Sequence, residues 1–264
     1  MSNASIWFTV VGMSAAVRIL NIPISTRSFD ETFEWVLGRV AQKLGGYVCF
    51  VNVHTITDAQ VDQALYEALR QSELAAPDGY PIKWVAPLFG GSIRSRVCGP
   101  DFSHRFWSDS KSTPITQGFI GGQLGQGKRL IKKYKLSGVS YCPPFRPFSA
   151  ENAKEDWNHF LELCPNRTPP PIVWVGLGAP KQERWMREVS LLAPETLFFG
   201  IGAAFDFHLG DKVRAPIWMQ RIGLEWLHRL LSEPNRLFFR YLKTNSRFLY
   251  YLLVRPRGFD ENTL

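Results

Sequence analysis

The chain contains no Cys-x-x-Cys pair; its four cysteines, Cys49, Cys98, Cys142 and Cys164, stand far apart. That spacing argues against a zinc ribbon or a disulfide frame, and reads as buried or incidental thiols in a reducing compartment. Nowhere does a run of about 18 apolar residues occur, so no membrane-spanning helix is expected. The apolar start, Ala4 to Ala16, lacks a basic leader and a clear cleavage site, which argues against a secretion signal. No Asp-x-Asp pair is present to hold a metal against a diphosphate, and no nucleic-acid fold signature accompanies the basic charge.

What is present fits one large α/β domain with an appendage: 264 residues, 45% of them hydrophobic, with a net charge of +8. Most of that charge lies between Trp218 and Arg257. There Arg221, Arg229, Arg236, Arg240, Lys243, Arg247, Arg255 and Arg257 face only Glu225 and Glu233. A basic helix usually just faces water. Here the arginines are interleaved with Leu237, Phe238, Phe239, Tyr241, Leu242 and a second apolar group from Phe248 to Leu253. So many large apolar groups imply packing on a core or contact with anionic lipid.

The chain is organised around Ile172 to Met186, IVWVGLGAPKQERWM. A buried-type strand runs into Gly176 and Gly178, and Pro180 opens a helix, where its missing N–H costs nothing. Such a junction lies at the carboxyl end of a parallel strand, where helix N–H groups favour an anion such as a diphosphate. Lys181, Gln182 and Glu183 then fall in the first helical turn. The third glycine of a dinucleotide fingerprint would fall on Lys181, so a nicotinamide oxidoreductase is disfavoured. Leu197 to Gly210, LFFGIGAAFDFHLG, repeats the pattern through Gly200 and Gly202, placing Asp206 and His208 among apolar and small residues. A carboxylate there is costly unless paired or used. The two junctions suggest adjacent parallel strands sharing one crevice.

Before them, Val17 to Thr26 reads as a strand pair or a strand and turn, and Ser28 or Asp30 as the cap of a helix through Val40. Tyr47 to Val53 reads as a buried strand delivering Asn52 and His54 to one side. Thr57 to Gln71 reads as one helix, and Asp78 in LAAPDG as a turn residue. Gly122, Gly127 and Lys128 match phosphate-loop spacing, but Arg129 stands where a magnesium-holding hydroxyl belongs. The expected fold is α/β, a doubly wound, Rossmann-like and mostly parallel sheet over residues 1–210. Residues 211–264 form a helical appendage broken near Pro216 and Pro234.

Taken together, VGLGAPKQERWM, GIGAAFDFHLG and KVRAPIWMQRIGLEWLHRLLSEPNRLFFRYL closely resemble the WecG/TagA/CpsF glycosyltransferase family. ILNIPIST, PDGYPIKWVAPLFGG and RVCGPD extend the likeness over nearly the whole chain. The resemblance implies inverting, metal-independent transfer from a UDP-sugar to a polyprenyl-diphosphate-linked sugar at the cytoplasmic face of the membrane. No cofactor and no nucleic-acid partner are implied, and the oligomeric state stays open.

By the family motifs Asp78 is the proposed base, and Arg96, Gln182 and Asp206 are site residues. Asn52-Val53-His54 stands where many members carry Thr-x-Asn, as in the xanthan-type glucosyltransferases. This makes glucose the expected donor, with N-acetylmannosamine or its uronate as the alternative. Lys181 and Arg214 are candidates for the departing diphosphate, and His54 shares the base role or orients the acceptor. Arg229, Arg236, Arg240, Lys243 and Arg247 are candidates for lipid diphosphate or membrane contact, the appendage closing the site. A non-catalytic membrane scaffold of a polysaccharide assembly is the reading from another class.

Overall fold

The computed structural model describes residues 16–109 and 115–254. The apolar start through residue 15, and Arg255 and Arg257 of the basic stretch, lie outside them. The chain begins with β1 (Ala16–Ile19), β2 (Ile22–Ser25), α1 (Phe29–Ala41), β3 (Gly46–Val51), α2 (Val53–Ala59), α3 (Gln63–Arg70) and β4 (Leu74–Pro77). Then come α4 (Tyr80–Val85), α5 (Gly99–Asp109), β5 (Gln117–Gly121), α6 (Gln126–Tyr134), β6 (Gly138–Tyr141) and α7 (Ala150–Leu163). The remainder is β7 (Ile172–Gly176), α8 (Lys181–Ser190), β8 (Leu197–Gly200), α9 (Ala204–Leu209), α10 (Ile217–Arg221), α11 (Glu225–Ser232) and α12 (Pro234–Val254).

The eight strands form one sheet in the order β1-β2-β4-β3-β8-β7-β5-β6. Among the described residues only the β1–β2 hairpin is antiparallel. Strands buried on both faces are nearly continuous apolar runs, as in Ile172–Val175 and Leu197–Phe199. One face packs Ile56, Leu65, Trp157, Trp185 and Met186 from α2, α3, α7 and α8. The other packs Val36, Phe102, Leu130 and Phe205 from α1, α5, α6 and α9. The fold is therefore α/β and doubly wound. The two glycine junctions do belong to adjacent parallel strands, β7 and β8.

The chain leaves β3 toward one face and β8, its neighbour, toward the other. Such a divergence opens a crevice above the carboxyl ends of the strands.

Three local expectations change. Leu74–Pro77, just before the turn residue Asp78, is a fully buried strand that the sequence did not mark; its Ala-Ala centre lacks the β-branched residues that mark strands in sequence. The stretch from Thr57 to Gln71 is two helices, because Asp62 caps a new start by accepting from the Leu65 N–H at 3.1 Å. Asn52 lies beyond β3 as the cap of α2, accepting from the Thr55 N–H at 3.1 Å, and His54 is in that helix's first turn. The two side chains therefore do not project from one strand.

The C-terminal helices pack against this body instead of standing free. Pro216 caps α10 and Pro234 opens α12, matching the predicted breaks. Phe248 of α12 is buried in the core face that holds α2, with Tyr251 and Leu252 packed beside it.

Candidate active site

Above β3 and β4 lies a cleft of about 530 Å³. Asn52 and His54 come from the β3–α2 junction, Asp78 from the end of β4, Arg96 from the loop before α5, and Arg229 and Arg240 from α11 and α12. Pro77 ends β4, and Gly79, at φ +122°, turns the chain sharply into α4. A side chain disfavours that conformation. The Asp78 N–H is tied to the Val51 carbonyl at 2.8 Å, while the Val97 N–H holds the Pro77 carbonyl at 2.9 Å. These two bonds bring the Arg96 loop over Asp78.

Arg96 donates to Glu225 and to Asp101, both at 3.0 Å. Arg214 pairs with the same two carboxylates, and Arg229 reaches Glu225 at 3.7 Å. Cys98 adds a thiol contact to Asp101 at 2.8 Å. Burial pushes Glu225 up, but Arg214 and Arg96 overcome it and hold its carboxyl below the usual range. Glu225 thus latches α11 onto the cleft. Sequence reasoning gave it no role; the available signal was its being one of only two acids in a basic stretch.

Asp78 differs from its neighbours. Its carboxylate makes no hydrogen bond or ion pair among the described residues, and it faces the cleft. Burial pushes it up to about 6, against the pull of Arg96 and with a further push from Glu225. A carboxylate poised there is ionised at neutral pH and basic enough to take a proton. His54 lies across the cleft with Nδ1 3.4 Å from Asp58, and burial and Arg240 lower its pKa. Arg240 has no carboxylate partner among the described residues, and its Nε is buried without an acceptor.

The glycine-junction residues lie apart from this cleft, along the β5–β7–β8 edge. Gly176 is filled by Phe205, whose ring would stand 2.8 Å from an added Cβ; Gly178, at φ +78°, faces open space. Gln182 is buried and donates to the Gly200 carbonyl at 3.1 Å and to Glu183 at 2.9 Å. Glu183 is buried too, which pushes it up to about 7. Gln182 Oε1, near Gly202, and Glu183 Oε2 have no hydrogen-bond partner among the described residues. Lys181 donates to the Arg146 carbonyl at 2.8 Å. Asp206 accepts from Gln126 at 2.7 Å and pairs with Lys212 at 3.1 Å. His208 is held by Ser103 and Tyr134 at 2.9 and 3.0 Å, a packing role. Gly127 meets Ser140 at 2.5 Å from an added Cβ, so the phosphate-loop spacing reflects helix–strand packing.

This combination of a free carboxylate, an arginine cluster and a separate glycine edge carries the motifs noted in the sequence. A family model described as the Glycosyl transferase WecG/TagA/CpsF family matches residues 17–261. The chain belongs to this family. It is a glycosyltransferase. A curated relative from Bacillus subtilis (strain 168) is 26% identical over 228 residues, 83% of this chain and 84% of that protein. It is named N-acetylglucosaminyldiphosphoundecaprenol N-acetyl-beta-D-mannosaminyltransferase. That name sides with the N-acetylmannosamine alternative over glucose, and a catalytic family disfavours the scaffold reading. No helix among the described residues of this glycosyltransferase is long and apolar enough to cross a membrane. α10 to α12 expose Ile217, Trp218, Leu231, Phe239, Leu249 and Leu253, with Arg221 and Lys243 among them.

Proposed function

We propose that this glycosyltransferase moves a sugar from a UDP-activated donor to a polyprenyl-diphosphate-linked sugar, with inversion and with Asp78 as the base. The carrying observation is the unpaired Asp78 carboxylate, facing a cleft and pushed up to about 6. Asp78 removes the proton from the acceptor hydroxyl as that oxygen attacks the anomeric carbon. The bond from that carbon to the UDP oxygen breaks on the opposite side.

Leaving UDP carries the developing charge. The start of α8, Gly178 and Lys181 suit one diphosphate, with Gln182, Gly202 and Asp206 around the nucleotide side. Arg240, lacking a partner, suits the acceptor diphosphate beside Arg229. Arg96 and Arg214 are already balanced by Asp101 and Glu225, so they fix the shape and potential around Asp78. Asn52 spends its side chain as a cap and positions His54, which orients the acceptor.

N-acetylmannosamine is the first donor to test, supported by the named activity of the relative. Glucose is the second reading, favoured by Asn52-Val53-His54. The apolar and basic outer face of α10 to α12, with Arg221, Lys243 and Arg247, suits an anionic bilayer at the cytoplasmic side.

The test is UDP release and product mass from a panel of UDP-sugars, with N-acetylglucosaminyl- and glucosyl-diphosphoundecaprenol in vesicles and Asp78→Asn as control. Transfer from UDP-N-acetylmannosamine, lost in the control, supports the reading. Transfer only from UDP-glucose selects the second donor. No lipid-linked product from any pair overturns it.

A further inference from the structure

The cleft has two unlike kinds of lining. Its polar lining includes Asp78, Arg96 and Arg240; its apolar lining comes from Trp84 and Val85 of α4, Trp226 of α11, and Phe248, Leu249 and Leu252 of α12. The apolar wall opens to the surface. Trp84 is 60% exposed, Leu249 58%, and Leu253, one turn along α12, 82%. A UDP-sugar has only its uracil ring to set against an aromatic side chain, and no aliphatic portion for Val85, Leu249 and Leu252. Bare aromatic and leucine surface in a concave groove is unfavourable in water and marks a ligand site.

The walls are fixed in place. Gly223, at φ +80°, brings the turn before α11 so close to α4 that an added Cβ would stand 3.0 Å from Tyr80 and 3.2 Å from Trp84. On the opposite side Phe248 is buried in the core, which fixes this part of α12. The apolar wall is thus a fixed part of the same cleft. Arg240 lines that cleft too, without a carboxylate partner among the described residues.

An anionic head joined to an apolar tail matches that pair of surfaces, arginine and apolar wall in one cleft. The substrate named for the relative, a sugar diphosphate on undecaprenol, has this constitution. Resting on the proposed function above, we infer that the groove between α4 and α12 binds the first isoprene units of the acceptor's lipid. Arg240 holds the diphosphate in the same cleft, so the enzyme grips the lipid itself and not only the bilayer around it.

The experiment uses water-soluble acceptors below their aggregation concentration, without detergent or vesicles. N-acetylglucosaminyl and glucosyl diphosphates carrying methyl, dimethylallyl, geranyl or farnesyl groups are compared with the full chain. Each buried methylene is worth up to about fourfold in affinity, so acceptor KM is expected to fall at least tenfold from methyl to geranyl. The fall should then level off once the groove is filled. In Trp84→Ala and Leu249→Ser, at exposed positions that the core does not need, methyl and farnesyl acceptors should differ by less than about threefold.

Equal KM for methyl and farnesyl acceptors in the unmodified enzyme overturns the groove while leaving the transferase reading intact. So does undiminished chain-length dependence in both variants. Transfer to none of these acceptors, nor to the full-length carrier in vesicles, overturns both.

Discussion

Asp78→Asn separates a residue kept for chemistry from one kept for the fold. Burial moves the Asp78 carboxyl from 3.8 to about 6, which costs the ionised folded state about 3 kcal/mol at most; cleft water and relaxation reduce this to on the order of 1–2 kcal/mol. Its folded pKa is raised, so the group favours folding when protonated. The penalty is fully present above pH 6, and it fades as pH falls through the window from about 6 to 3.8. The neutral amide of similar shape escapes it. Asp78→Asn is therefore expected to raise Tm at pH 7 by about 2–8 °C, with the gain shrinking toward zero near pH 4.

In the same variant transfer should fall by about 10²- to 10⁴-fold through loss of the base. In the unmodified enzyme kcat/KM should rise about tenfold per pH step below 6 and flatten above it. Thermal melts from pH 4 to 8 and UDP-release profiles at matched pH read both quantities. A variant that is less stable at pH 7, or equally stabilised at pH 4 and 7, would refute the argument from burial. A variant retaining more than about a tenth of the activity would remove Asp78 as base.

Glu225→Gln takes a negative charge away from Asp78, so the acid limb of kcat/KM should move to lower pH. Loss of charge at the partner of Arg96, Arg214 and Arg229 should also lower Tm by several degrees, both read by the same assays. Arg240→Ala should raise acceptor KM about tenfold or more while changing the UDP-sugar KM little, as measured by steady-state kinetics. Gly45→Ala places a Cβ 2.5 Å from the Thr196 carbonyl oxygen, a backbone atom that cannot turn aside. It should cost about 1–3 kcal/mol in denaturant unfolding. Removing residues after Arg214 takes away Glu225 and part of the cleft's apolar wall; lipid-linked product should vanish, and full activity by mass analysis would deny the appendage its part in the site.

Elements with strong local signals were legible in the sequence. The helix after Ser28 carries a complete capping box with Glu31, and the glycine junctions of β7 and β8 announce themselves through apolar runs that stop abruptly. Two of the four-residue strands were not legible. Leu74–Pro77 and Gly138–Tyr141 hold their places through neighbouring strands, β4 between β2 and β3 and β6 beside β5, and such pairing leaves little trace in a single short segment. The stretch around Asp101 was read only as a motif, although its Phe102, Phe106 and Trp107 form the buried side of α5.

The site shows a different limit. Sequence pattern marks the unusual residues but not which of them are also spent on packing. Gln182, Glu183 and Asp206 stand out because they are polar groups in apolar surroundings, yet much of their hydrogen-bonding capacity is spent joining α8 to β8 and α6 to α9. Asp78 looked ordinary between proline and glycine, and it is the carboxylate left without a partner. What separates these cases is the neighbour set, and that set is assembled across about 150 residues of chain: Asp78 from β4, Arg96 from the loop it controls, and Glu225 from α11. Asp78 is left unpaired here because another carboxylate, Glu225, has already claimed the arginines. That division of roles arises only when the C-terminal helices close on the sheet.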